Sequence, residues 1–176
     1  ALTERIRLGT MVSPATFRHP SVLARMAVTV DHISGGRVEV GMGSGWYERE
    51  HLAHGFPFLD GKQRFALFAE QVEIVVRSWT EERFDHDGPA YRLRDQLALP
   101  RPLQQPHPPL VLGGTVKPRF AALAARYSDD PSTLSEGGVL PAKHLSELAP
   151  TLRRVVSSLE VGAPSAVINV PSGFAV

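Results

Sequence analysis

The chain has 176 residues, 43% of them hydrophobic and 21% charged, the balance of an ordinary globular protein of single-domain length. A formal net charge of +1 offers no field to draw nucleic acid or an anionic membrane surface, and the absence of cysteine excludes disulfides and thiolate metal sites. No apolar run approaches the ~20 residues of a membrane helix, and the opening "ALTERIRLGT" carries charge where a secretion signal has an apolar stretch.

The lack of cysteine suits a cytoplasmic protein. The first residue is not Met and a strand begins almost at once, so we expect the true beginning to lie upstream. "RIRLGTMV" (Arg5–Val12) alternates and then turns apolar, which predicts a strand, and "SPATFRHP" with its two prolines predicts a loop. Val22, Leu23, Met26, Ala27, Val30 and Ile33 recur at helical steps, and Ser34-Gly35-Gly36 stops the helix. "RVEVGMG" predicts a second, buried strand.

Phe65, Phe68, Val72, Val75, Val76 and Trp79 predict a helix over 61–79. "RFDHDGPAYRL" predicts a hairpin turning at Asp87-Gly88 and lying outside the main sheet. Residues 95–109 are proline-rich and predicted extended. "PLVLGG" predicts a third core strand, and Pro118 opens a helix at a position where proline is tolerated. This βα alternation implies a parallel sheet with strands near 5–12, 37–42 and 109–113, side by side in that order. Beyond Asp130 the character changes. Leu145, Leu148, Leu152, Val155, Val156 and Leu159 predict a helix that Pro150 kinks or splits, and "SAVINV" predicts a last strand.

Four clusters can carry chemistry. Gly41-x-Gly43-x-Gly45 follows a strand, but its third glycine comes one position early for the dinucleotide fingerprint, leaving a ligand loop or a tight structural turn. Gly113-Gly114-Thr115 joins a strand to a helix N-terminus, either as a phosphate seat with Lys117 nearby or as a plain connection. Glu48, Glu50, His51 and His54 do not form the zincin H-E-x-x-H pattern, so no metal is expected and they read as a solvated first helical turn. Ser13, beside Arg18 and His19, is a strand-end hydroxyl able to face a cofactor, or a loop breaker.

Taken together, the stretch from "RIRLGTMV" through "GMGSGWYEREH", with "RFALFAEQVEIVVRSW", "FDHDGPAYRL" and "HPPLVLGG", resembles the bacterial luciferase-like superfamily. "TFRHP" and "GSGWYEREH" are most similar to its branch using the deazaflavin coenzyme F-420. The resemblance covers about residues 3–130. It implies an α/β fold that is part of a (β/α)8 TIM barrel, about the third strand through the fifth helix, over 1–130, with an unmatched tail over 131–176.

It also implies an oxidoreductase transferring hydride between coenzyme F-420 and a small organic substrate. The alternatives are an FMN-dependent monooxygenase and a non-catalytic remnant. Ser13, Ser44, Gly45, Gly113, Gly114, Val116 and Lys117 are the implied cofactor contacts, and Trp46 the wall on the substrate side. No catalytic residue is assigned. A whole barrel takes ~250 residues, so two βα units before this stretch and the continuation after it are expected to be missing. Bare strand edges should then drive self-association.

Overall fold

The structure is a computed structural model and describes residues 3–114, 118–129, 145–147, 150–158, 168–170 and 173–175. It divides into two units, Ala1–Val139 and Leu140–Val176.

The first unit is built on a four-stranded sheet. β3 (Val38–Gly43) lies at its centre, paired parallel with β1 (Leu8–Gly9) and β2 (Ser13–Pro14) on one side and with β6 (Leu110–Gly113) on the other. The expected order of three parallel strands is the observed one. The expected continuous strand over Arg5–Val12, however, is broken. Leu8 pairs with Val38 and Ser13 with Met42, so five steps along one strand meet four along the other. One residue is therefore extra, and Thr10–Val12 bulges out. The Thr10 hydroxyl compensates the ladder there, donating to the Gly41 carbonyl at 2.8 Å and accepting from the Gly41 N–H at 3.0 Å. Ser13-Pro14, expected to be loop, resumes the strand.

Val38, Val40 and Met42 of β3, with Leu110 and Leu112 of β6, point to one face. There they pack against α1 (Pro20–Ser34), through Leu23, Ala27 and Val28, and α3 (Gly61–Thr80), through Phe68, Val72, Val75 and Trp79. The Trp79 indole N–H, fully buried, donates to the Ala24 carbonyl at 3.1 Å and joins the two helices. Asp60 starts α3 with a capping box: its carboxylate accepts from the Lys62 and Gln63 N–H groups, both at 2.8 Å, and the Gln63 side chain accepts from the Asp60 N–H at 3.2 Å. Gly35, at φ 67°, closes α1 in the left-handed conformation. α4 (Pro118–Tyr127) follows β6 and adds Ala124 to the core.

β4 (Arg83–Asp87) and β5 (Arg92–Leu97) form an antiparallel hairpin separate from the main sheet. Its loop is longer than the Asp87-Gly88 turn predicted. Asp87 pairs with Arg92, leaving residues 88–91 as the tip. The reason lies in α3: the Glu70 carboxylate accepts from the Ala90 and Tyr91 N–H groups at 3.0 and 2.8 Å and bonds His86 Nε2 at 3.0 Å, stretching the tip around itself. The extended connector that follows is pinned by buried Asp31, which accepts from the Leu103 and Gln104 N–H groups at 2.7 and 3.0 Å.

Outside these contacts α1 carries a second apolar stripe. Val22, Met26, Val30 and Ile33 are exposed, as are Leu8 and Met11 beside the β1/β2 edge. In the second unit a 3-10 turn (Leu145–Glu147) and α5 (Pro150–Ser158) stand where one interrupted helix was predicted. Pro150 occupies the first position of α5, where its missing N–H costs nothing. β7 (Ile168–Val170) pairs antiparallel with β8 (Gly173–Ala175).

Candidate functional site

Parallel strands end together. Pro14 lies opposite Gly43, and Gly43 opposite Gly113, so the carboxyl ends of β2, β3 and β6 form one rim. A cleft of about 690 Å³ opens on that rim. Ser44, Gly45 and Trp46 line it from the β3 end and Gly113 and Gly114 from the β6 end, so five candidates from two stretches far apart in the chain come together. Trp46, 70% exposed, tilts against Tyr47 with ring centroids 5.2 Å apart, giving the cleft an aromatic wall. Glu50 lines it from α2 (Glu48–Ala53).

The remaining candidates are placed differently. Ser13 is buried and lines a smaller groove between the sheet edge and α1, while its neighbours Val12 and Pro14 face the cleft. Strand alternation explains this: once β2 resumes at Ser13, successive side chains point to opposite faces. Val116 and Lys117 lie outside the described residues.

The closely spaced glycines prove to be of two kinds. A Cβ on Gly41 would stand 1.9 Å from the Thr10 carbonyl oxygen, and one on Gly43 would stand 2.7 Å from a Val12 methyl. These two are bare because the Thr10–Val12 bulge of the same chain rests on them. Gly45 is bare for another reason: it turns at φ 76°, a conformation L side chains avoid.

Behind that turn lies a packed layer that sequence reading did not find. His51, expected in a solvated helical turn, is fully buried. Its Nδ1 lies 2.8 Å from the Tyr47 carbonyl, which can only accept, so Nδ1 carries the proton. Nε2 then accepts from the Thr16 hydroxyl at 2.7 Å. Phe17 and Phe58 meet the imidazole edge-on. Arg64, from the first turn of α3, donates its Nε–H to the Gly45 carbonyl at 3.0 Å and a further N–H to the Leu59 carbonyl, with its guanidinium 4.1 Å from the centre of the Phe58 ring. Two helical turns further along, buried Gln71 places its amide nitrogen 2.6 and 2.9 Å from the Ala15 and Arg18 carbonyls and 2.6 Å from the Tyr91 hydroxyl. Burial raises the pKa of that hydroxyl, the bond to Gln71 opposing it, so Tyr91 stays a neutral phenol. Among the described residues, no three His, Cys, Asp or Glu side chains are placed to hold a metal ion.

A cleft walled by glycine-bearing backbone, Ser44 and a flat aromatic surface suits a ligand with a planar ring. The FMNH2-dependent dimethylsulfone monooxygenase of Pseudomonas putida is 33% identical over 129 residues, which is 73% of this chain and 35% of that protein. The F420-dependent glucose-6-phosphate dehydrogenase of Beutenbergia cavernae is 41% identical over 103 residues, 58% of this chain and 30% of that protein. The chain thus spans about a third of the length of these relatives.

An F420-dependent secondary alcohol dehydrogenase of known structure superposes with a TM-score of 0.64 at 23% identity, covering 77% of this chain and 45% of that one. At that identity the likeness concerns the fold, which is part of a (β/α)8 barrel. The family model for luciferase-like monooxygenases matches residues 1–169, well past the motifs that end near residue 130. With nearly the whole sequence matched and the strand-end cleft where barrel enzymes hold their ligands, the chain belongs to the luciferase-like monooxygenase family.

Proposed function

We propose that this chain is the cofactor-binding portion of an oxidoreductase that uses coenzyme F-420, with FMN as the alternative, on a small organic substrate. The observation that carries this reading is the convergence of Ser44, Gly45, Trp46, Gly113 and Gly114 on one cleft at the carboxyl rim of a parallel sheet. Relatives of both cofactor types support it. When bound, the deazaflavin or flavin ring supplies the hydride chemistry.

The chain's own contribution is placement. In this reading the Ser44–Gly45 turn and the Gly113–Gly114 segment approach the ligand with bare backbone, which no larger side chain would permit. Val116 and Lys117 complete the phosphate seat after β6. Trp46 closes the substrate side and excludes water from it. Ser13 acts at one remove, through the Val12 and Pro14 that flank it and face the cleft. The exposed stripe on α1 and the β1/β2 edge drive self-association of the isolated chain, detectable as mass above the monomer in light scattering.

Fluorescence titration of the purified chain with F-420 and with FMN, paired with thermal shift, tests the reading. Ligand that binds only the folded state at a hundredfold excess over Kd adds about 2.7 kcal/mol of stability. A shift with F-420 is expected. A shift with FMN alone selects the monooxygenase reading, and no shift with either, in a folded chain, removes both.

A further inference from the structure

We propose that Arg64 is a positioning residue for the proposed cofactor site: it holds the Ser44–Gly45 turn from behind by its bond to the Gly45 carbonyl. The inference rests on the reading of that cleft as a cofactor site, but its own geometry is independent of any ligand.

Gly45 sits at φ 76°, a well that glycine leaves easily, so something must hold it there. Two groups do. A hydrogen bond of 3.0 Å runs from Arg64 Nε to the Gly45 carbonyl. On the side of Gly45 where a Cβ would sit, such an atom would lie 3.0 Å from Thr16 Oγ1 and 3.2 Å from the His51 ring, so the turn cannot relax that way. The bond to Leu59 and the Phe58 ring under the guanidinium fix Arg64 in turn. Phe58 also meets His51, with centroids 5.0 Å apart, so the two supports share one aromatic core. Arg64 forms no ion pair among the described residues; its hydrogen bonds go to backbone carbonyls. A planar fork does this and a lysine ammonium, a compact point charge, does not reproduce it.

Arg64→Lys therefore separates position from charge, and Arg64→Met removes both. Three readouts apply to each variant: amide hydrogen exchange of residues 44–47 in the ligand-free chain, affinity for FMN and for F-420 by fluorescence titration, and Tm. Both variants are expected to speed exchange at 44–47 and to weaken cofactor affinity about tenfold, the loss of one charge-assisted bond, while Tm stays within a few degrees. Unchanged exchange at 44–47 in Arg64→Met overturns the proposal. So does an Arg64→Lys variant that keeps full affinity where Arg64→Met loses it, because the role would then be charge. If the wild-type chain binds neither cofactor, the functional reading fails, and the exchange measurement still decides whether Arg64 holds the turn.

Discussion

The two halves of the segment from Gly41 to Tyr47 look alike in sequence and do opposite things. In the strand half, Gly41 and Gly43 are empty so that the chain can close on itself: the Thr10 carbonyl and the Val12 side chain occupy the space a Cβ would need. In the turn half, Ser44 through Tyr47 face an open cleft and owe their shape to supports behind them. Absence of a side chain is therefore not itself a sign of ligand. It marks close approach, and only the surroundings tell whether the approaching group is the protein's own.

That contrast can be broken by substitution. The largest effect is expected from Gly41→Ala, which drives a methyl to within 1.9 Å of the Thr10 backbone carbonyl, in a bulge that the Thr10 hydroxyl ties to Gly41. Relieving that clash means moving the bulge, at a cost of roughly 3 kcal/mol. Urea unfolding should show the midpoint falling with an unchanged slope, and a midpoint within error of wild type would refute the self-filling account.

Gly88→Ala tests the same principle in the hairpin. Its Cβ would meet the Glu70 carboxylate at 2.1 Å. The carboxylate belongs to a side chain and can move, but only by releasing the Ala90 and Tyr91 N–H groups and His86. About 2 kcal/mol is expected, with faster hydrogen exchange at Ala90 and Tyr91 as its local signature.

Gly114→Val sharpens the other side of the comparison. Gly114 is exposed and lines the cleft. Stability should hold within about 0.5 kcal/mol, while cofactor affinity falls about tenfold, or ~1.4 kcal/mol. Equal binding by wild type and variant would take Gly114 out of the site.

The smallest effect lies far from the cleft. Arg77 Nε bonds Glu81 at 2.7 Å one turn along α3, and that hydrogen bond, with the attraction of the charges, holds the Glu81 carboxyl below its ordinary value of 4.5. The ionised pair thus stabilises the fold above that value, and its contribution disappears as pH falls through the lower folded-state value. The pair is partly exposed, so the loss relative to Glu81→Gln should be only about 0.3–0.5 kcal/mol. Unfolding free energies of the two proteins at neutral and acid pH check it: a gap that stays constant would remove the pair from the pH dependence.

Much of the scaffold was legible before the fold was known, because it follows from period and punctuation. The helix over 20–34 declared itself by its apolar steps and its Gly35 stop, the helix after Asp60 by its stripe, and the parallel order by βα alternation. The broken first strand was not legible. Residues 5–12 alternate like a strand, and the extra residue shows only when Leu8 and Ser13 are read against their partners on β3. Side-chain direction downstream of that bulge was lost with it, which is why Ser13 faces the α1 groove and its neighbours face the cleft. The supports behind Gly45 were hidden for a different reason. Arg64 looks like any polar residue in a first helical turn and His51 like a surface histidine, and only tertiary contact sets them apart.

The grip of Glu70 on the hairpin tip has a practical consequence for anyone who re-engineers this protein. The tip at residues 88–91 has the outward look of a good place to splice in a tag or a reporter: it is glycine- and proline-bearing and lies off the main sheet. Yet Tyr91 reaches the Gln71 amide, and the same amide reaches the carbonyls of Ala15 and Arg18, in the segment that leaves β2 for α1. The hairpin is a strut braced against the loop beside the cleft. Lengthening it would pry at that brace from a distance, so cargo belongs elsewhere on the surface.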